Sequence, residues 1–497
     1  VKTEYTRLGG GLDLVNNPNS VNPGRSILSI NYDTPITGGY RSVKGYELLG
    51  GGPPSGTGPV LGVAVWQGKV YCIRENAGAG HLYRLDSDAW TDVGSGLTLD
   101  RHDFVSGNFY ALAASENLFM VGGGKPWKFD GTTLSEITAA PSGATFIDIH
   151  ANHLFLGIPA GSLQWSELGN PDGWAAAGGA GELGVSDRIT GLAQVAGGVL
   201  VIGGEESIKL LYGSSVDNFE VRDFSSNAGI ASHTIATIGT TPVFKSSTGL
   251  TSLSTVQAFA DFQFGSWAQE IAPLFRLQDA EPVAAIALKN ANEYRLYWES
   301  GLGVVATFNG ETPVGISTTI FPEAITLAAT GNDLEPGRDL TVFADDAGNV
   351  FRLDTGTSFA GEEIKTYLAL GYNHFGGPSV RKRFRHLYLD VLADSAVDLY
   401  VLPSFNLGSS LIPRHLVAEA VTPEAIITAL SAGGLWEFDR WGEFAWGTPI
   451  LDMTHLWLAG TATHLGLVIN TASTTAEQHT IHGYTTHFDV RRQRRGQ

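Results

Sequence analysis

Cysteine is almost missing from this chain: Cys72 is the single one in 497 residues. That excludes a disulfide framework, and with it any cysteine-based zinc or iron–sulfur site within one chain. Charge is sparse at 16% while apolar residues reach 43%, the reverse of a disordered composition. No apolar run reaches about 18 residues, so no membrane-spanning helix is expected, and Val1–Tyr5 holds no apolar stretch that would begin a signal peptide. Positive charge is short as well, 31 Lys and Arg against 50 Asp and Glu, for a net −19. A protein that grips duplex DNA without regard to sequence is basic, so that activity is not expected. Helical signals are few. The clearest is Pro423–Leu430, with Thr422 placed as N-cap, Pro423 at the first helical position and Gly433-Gly434 as a stop.

Glycine is abundant, with 63 residues, and it punctuates a regular pattern. From about residue 60 to 370, apolar runs of four to seven residues alternate with turn-forming pairs. Val60–Trp66, Lys69–Arg74, His81–Asp86 and Trp90–Val93 predict four strands. Phe109–Ala113, Asn117–Val121, Pro126–Asp130 and Leu134–Thr138 repeat the spacing. Phe146–Ala151, His153–Gly157 and Ser162–Glu167, ending near Trp174, give a third copy. Ile189–Val195, Val199–Gly203, Ser207–Gly213 and Asn218–Asp223 give a fourth. Tyr294–Glu299 with Val304–Asn309, and Leu340–Asp345 with Val350–Asp354, continue it, while 233–272 keeps a weaker beat. Four short strands in about 40–45 residues is the period of a β-propeller blade. The reading is all-β, a propeller of six or seven blades over residues 59–371, with a stacked β-sandwich array as the structural alternative.

A turn-rich stretch, Gly371–Pro378, separates this body from residues 372–497. There, strands at His386–Val391, Ala396–Leu402, His455–Ala459, His464–Asn470 and Thr480–Val490 predict an antiparallel, β-sandwich-like docking domain. Residues 1–58, rich in Gly, Asn and Pro, read as an extended segment that packs on the propeller or on a neighbour. The charge follows the same division. Residues 1–377 carry 39 acidic and 21 basic residues, a balance of −18, against 11 and 10 beyond.

Motifs that carry chemistry are few. Gly9-Gly10-Gly11 and Gly122-Gly123-Gly124 lack the Lys-Ser/Thr of a phosphate cradle. No zinc-protease, EF-hand or nucleophile-elbow motif occurs. His479, His482 and His487 fall where the last two face opposite sides of a strand, and Asp345–Asn349 reads equally as a hairpin turn. Asp86, Asp130 and Asp354 sit singly at turns, as turn-capping aspartates do. No catalytic, cofactor or metal residue is therefore assigned, and no enzyme activity is expected. An alternative is a carbohydrate-binding or carbohydrate-cleaving propeller, for which Trp66, Trp90, Trp127, Trp165 and Trp174 would be the platforms. Two basic clusters remain: Arg381, Lys382, Arg383 and Arg385, and the tail Arg491, Arg492, Arg494 and Arg495. Both are candidate assembly contacts toward an acidic partner, which the body of a neighbouring copy would supply.

One segment resembles a known group. Leu8-Gly9-Gly10-Gly11-Leu12-Asp13, then Pro23-Gly24, Ser29-Ile30-Asn31-Tyr32-Asp33 and Gly38-Gly39-Tyr40-Arg41-Ser42-Val43-Lys44-Gly45-Tyr46-Glu47, is similar to the opening segment of the tail nozzle (tail tubular) proteins of short-tailed bacteriophages. The resemblance covers about 45 residues. It implies a structural virion protein made in the bacterial host, a homo-oligomeric and usually sixfold ring at the tail end. Such a ring docks on a head–tail adaptor, carries fibres or a plug in some cases, and encloses a channel through which double-stranded DNA leaves without being held. An acidic wall suits that passage, because it repels phosphate.

Overall fold

Alternating apolar and polar residues between tight turns produce strands, and the structure is nearly all β. The computed structural model describes residues 1–497 except 113–115, 196–197, 248, 257–260, 267, 311, 336, 394–396, 407–424, 430–451, 476–477 and 492–497; of 254–256, 261–266, 425–429 and 452–454 it describes the backbone. Among the described residues, the helical elements are one α-helix, Ala272–Leu277, and three short 3-10 turns. None is long and apolar enough to cross a membrane.

Seven antiparallel four-stranded units follow one another. Their first strands are Thr57–Trp66, Asp103–Gly107, Phe146–His150, Ile189–Val195, Ala236–Ile238, Ala284–Leu288 and Leu327–Asn332. Each first strand lies beside the first strand of the next unit, and the seventh lies beside the first, so the series closes on itself. Between the units sit apolar cores, such as the one shared by Tyr71, Leu82, Met120 and Phe129. Cys72 is buried on the second strand of the first unit, and burial raises its thiol well above the ordinary value. Turn chemistry is local: Ala151 and Asn152 both take left-handed φ in the two-residue link between Phe146–His150 and His153–Ile158, as tight hairpins require.

Neighbouring units are also joined by carboxylates. Asp103 accepts the Ile147 amide of the next unit at 3.2 Å, and Asp148 accepts the Gln194 amide of the one after at 2.7 Å. Burial pushes these acids up to about 6 and about 7, against the pull of the amides.

Residues 1–58 supply strands to three sheets. Lys2–Arg7 pairs with His479–Val490. Ser26–Ile30 lies between Thr312–Ile320 of the sixth unit and Ile364–Leu370, so that sheet runs on without a break. Tyr32–Asp33 and Tyr40–Ser42 join the sheet of His479–Val490. Tyr46–Leu48 becomes the fourth strand of the seventh unit, against Val350–Leu353. In the C-terminal region, Ile364–Leu370, Leu465–Ser473 and Val397–Phe405 form one sheet, and His479–Val490, Lys382–Ala393 and Asp452–Ala462 another. Alternate residues of both meet in one core, among them Leu368, Leu399, Leu467, Leu387 and Phe488.

Three expectations are corrected. Ala425–Ala429, read as the centre of a helix, is a strand on the edge of Val397–Phe405. The β-branched Ile426, Ile427 and Thr428 favour that state, and the free edge decides it; Thr422 and Pro423 lie outside the described residues. The second unit begins at Asp103–Gly107 rather than at Phe109, whose ring is instead buried between units. The third unit takes Gly181–Gly184 as its last strand, beyond Trp174.

Candidate assembly surface

Along Lys382–Ala393 side chains alternate between core and solvent, and this sorts the first basic cluster. Arg381, Arg383 and Arg385 are exposed. Lys382 is not: it is buried, and its ammonium donates to the carbonyls of Gly377, Val380 and Thr463 at 2.7, 3.0 and 3.3 Å. Burial lowers its pKa. Lys382 thus ties together two loops of its own chain and drops out of the contact set. Arg385 is held by Asp489 at 2.5 Å. Arg491 is exposed, and its amide bonds to the Arg381 carbonyl. Arg492, Arg494 and Arg495 lie outside the described residues.

The solvent face of the same sheet carries a group of residues that sequence reading missed. Pairing places Trp457 opposite His386 and His386 opposite His487, with His455 opposite Tyr388 in the next row. The rings touch: His386 lies 4.3 Å from Trp457, and Tyr388 stacks on His455 at 4.8 Å between centroids. His386 Nδ1 and His455 Nε2 share a hydrogen bond at 2.8 Å. Trp457 is 74% exposed. Tyr5 extends the face and donates to Asp390 at 3.2 Å. The residues come from four distant strands, so no local motif announces them. A run of strands with aromatics at solvent positions was the one available signal.

Behind this face the resembling segment forms a buried joint. Asn31 spans two strands: its amide donates to the Lys365 carbonyl and its carbonyl accepts the Ile320 amide, both at 2.8 Å. Tyr40 donates to the Gly11 carbonyl at 3.1 Å. Gly11 has φ +73, and a Cβ there would stand 2.3 Å from the Ile316 amide nitrogen; at Gly45 it would stand 2.0 Å from the Ser358 carbonyl. Both positions therefore require glycine. Arg41 grips Asp33 at 2.7 and 3.1 Å and reaches Glu293 at 3.7 Å. Arg295 in turn grips Glu293 at 2.8 Å and Asp354 at 2.9 Å. Burial pushes Asp33 up to about 7, opposed by Arg41 and reinforced by Glu293.

Tyr32 and His479 form a second buried contact of the joint, hydroxyl to Nε2 at 2.9 Å. Burial lowers His479 to about 4. An unfolded histidine titrates near 6.5, so the folded state binds fewer protons between pH 6.5 and 4. The stabilisation is present above that window and lost as pH falls through it, by about 2 to 3 kcal/mol at pH 4.5. His479→Gln should be less stable than the parent at pH 7, with the gap narrowing by that amount at pH 4.5. Urea unfolding at the two pH values measures it, and a constant gap would refute it.

Of the tryptophans, Trp66 and Trp165 are buried, and Trp90, Trp127 and Trp174 are half-buried against cores. Asp130 caps its turn through the amides of Thr132 and Thr133, and Asp345 closes its own through Asn349. Among the described residues no three His, Cys, Asp or Glu are grouped to hold a metal ion.

Compared with protein-family models and with curated proteins, the chain matches none.

Proposed function

We propose that the chain is a structural protein of a bacteriophage tail, a subunit of a ring-shaped nozzle through which the genome leaves. In this reading the seven units are the blades of a β-propeller, closed by the N-terminal strand Tyr46–Leu48, and the two C-terminal sheets are a β-sandwich that serves docking. The observation that carries it is the use made of residues 8–47. The residues by which the segment resembles nozzle proteins are the buried joint itself, Gly11, Asn31, Tyr32, Asp33, Tyr40, Arg41, Gly45 and Tyr46. A pattern spent on holding three parts of a fold together belongs to an architectural protein.

Copies assemble head-to-tail. The face bearing Arg381, Arg383, Arg385 and Trp457 differs in chemistry from the acidic body, where Glu205, Glu206, Glu362 and Glu363 are exposed. Two unlike, complementary surfaces make a heterologous contact, the kind that closes into rings. Trp, Tyr and Arg are also the residues that dominate binding energy at protein interfaces. The ring then docks on an adaptor, carries fibres or a plug, and passes DNA along a wall that repels phosphate.

Electron microscopy of the purified protein should show rings, and the tail tip of the virion should contain this chain. Arg383→Glu with Trp457→Ser should raise the concentration needed for assembly at least about tenfold, or ~1.4 kcal/mol, without lowering the melting temperature. Raising salt from about 0.05 to 0.5 M should weaken assembly too. Mass photometry reads both. A parent chain that stays monomeric under all conditions, and is missing from tail tips, overturns the reading.

A further inference from the structure

Where the first strands of the first, second, fifth, sixth and seventh units converge, they border an open cavity of about 480 Å³. Small aliphatic side chains, Val63, Ala64, Ala285, Ala287 and Ala329, line it together with the polar Asp103, Ser106 and Thr330. Arg101 lines it. The side chain is surrounded by protein yet keeps accessible area, because that area faces the cavity. Among the described residues its guanidinium makes no hydrogen bond and no ion pair. The nearest acid, Asp103, is already engaged: its oxygens accept the amides of Phe104 at 3.0 Å and Ile147 at 3.2 Å. His233 also lines the cavity, packed on Phe146 at 5.1 Å between centroids.

We propose that this cavity binds a small singly charged oxyanion, with the Arg101 guanidinium as its anchor and a carboxylate on a short hydrocarbon as the preferred class. A guanidinium that faces the cavity without a protein partner has its donors free for a ligand, and five N–H donors in a rigid fork match a carboxylate or phosphate. The alanine and valine side chains in the lining favour the carboxylate, since they offer contact for a short apolar carbon chain behind the charged end. Burial lowers Arg101 to about 10, so the guanidinium still carries its charge at neutral pH. His233, lowered to about 3 by burial and by the Arg101 charge, is neutral there and does not compete for the anion. The site is internal to one chain, so it stands or falls independently of ring assembly.

The test titrates the full chain with sodium propionate and, separately, with sodium phosphate, against sodium chloride at equal ionic strength. Thermal unfolding and calorimetry are the readouts. Propionate should raise the melting temperature of the parent more than chloride does, and more than phosphate does. Arg101→Met should lose the response, with affinity down about 30-fold or more. In chloride alone this variant should melt at or above the parent temperature, because an unpaired charge has been replaced by an apolar chain. Arg101→Lys keeps the charge without the fork and should respond only weakly. A response to phosphate alone overturns the carboxylate preference. A parent response no larger than that to chloride, an equal response in Arg101→Met, or a drop of several degrees for that variant in chloride overturns the site.

Discussion

Replacing Arg295 with Met should cost about 3 to 5 kcal/mol, among the largest losses available to a single substitution in this chain. Arg295 donates to Glu293 through Nε and Nη2 at 3.0 and 2.8 Å, and to both Asp354 oxygens at 3.0 and 2.9 Å. Burial works against its charge, and Asp354 and Glu293 outweigh that, holding its pKa well above the ordinary value. Glu293 is only 2% exposed. Without Arg295 its nearest cation is Arg41 at 3.7 Å, so the carboxylate is left buried and poorly paired. The double variant Arg295→Met with Glu293→Gln removes the stranded charge as well, and should recover about half of the loss. Urea unfolding followed by intrinsic fluorescence compares the three. A loss below about 1 kcal/mol for the single variant, or no recovery in the double, would mean that water reaches and solvates the ions.

Tyr46→Ala should cost a similar amount, about 3 to 5 kcal/mol, by a different route. The Tyr46 ring is fully buried and touches four phenylalanines, Phe321, Phe343, Phe351 and Phe359, with centroids 4.9 to 5.5 Å away. Its hydroxyl donates to Glu323. Truncation leaves a cavity among aromatic rings and frees the strand that completes the seventh unit. Amide exchange should accelerate along Tyr46–Leu48 and along its partner Val350–Leu353, while the third and fourth units keep their protection. Tyr46→Phe removes one hydrogen bond and should cost only about 1 kcal/mol. If exchange rises evenly across all seven units, Tyr46 supports global stability and not closure.

Within the units, much of the architecture could be read from local pattern. His81–Asp86 and Val350–Leu353 alternate as half-buried strands do, and the turns beside them carry the residues that tight turns demand. That is enough to place strands, because a strand needs only neighbours on two sides. It is not enough to choose between helix and strand at Ala425–Ala429, where the free edge of Val397–Phe405 decides. The same limit applies to the basic cluster. Its four cations are visible as charge, yet the alternation that points Lys382 inward while Arg381 and Arg383 stay outside depends on where the core lies.

By itself, then, the sequence determined that the chain is all-β, that a single thiol offers no staple, and that acidic charge collects in residues 1–377. Composition and short-range periodicity carry those properties. The tertiary structure alone decided which residues act together. Trp457, His386, Tyr388, His455 and His487 share a face because strand register brings them into adjacent rows. Tyr46 completes a unit whose other strands, Leu327–Asn332, Asp339–Ala344 and Val350–Leu353, lie far along the chain. Arg101 stands in a cavity made by strands from five units. Long-range pairing is set by the summed burial and hydrogen bonding of the whole fold, and no local window of sequence contains that sum.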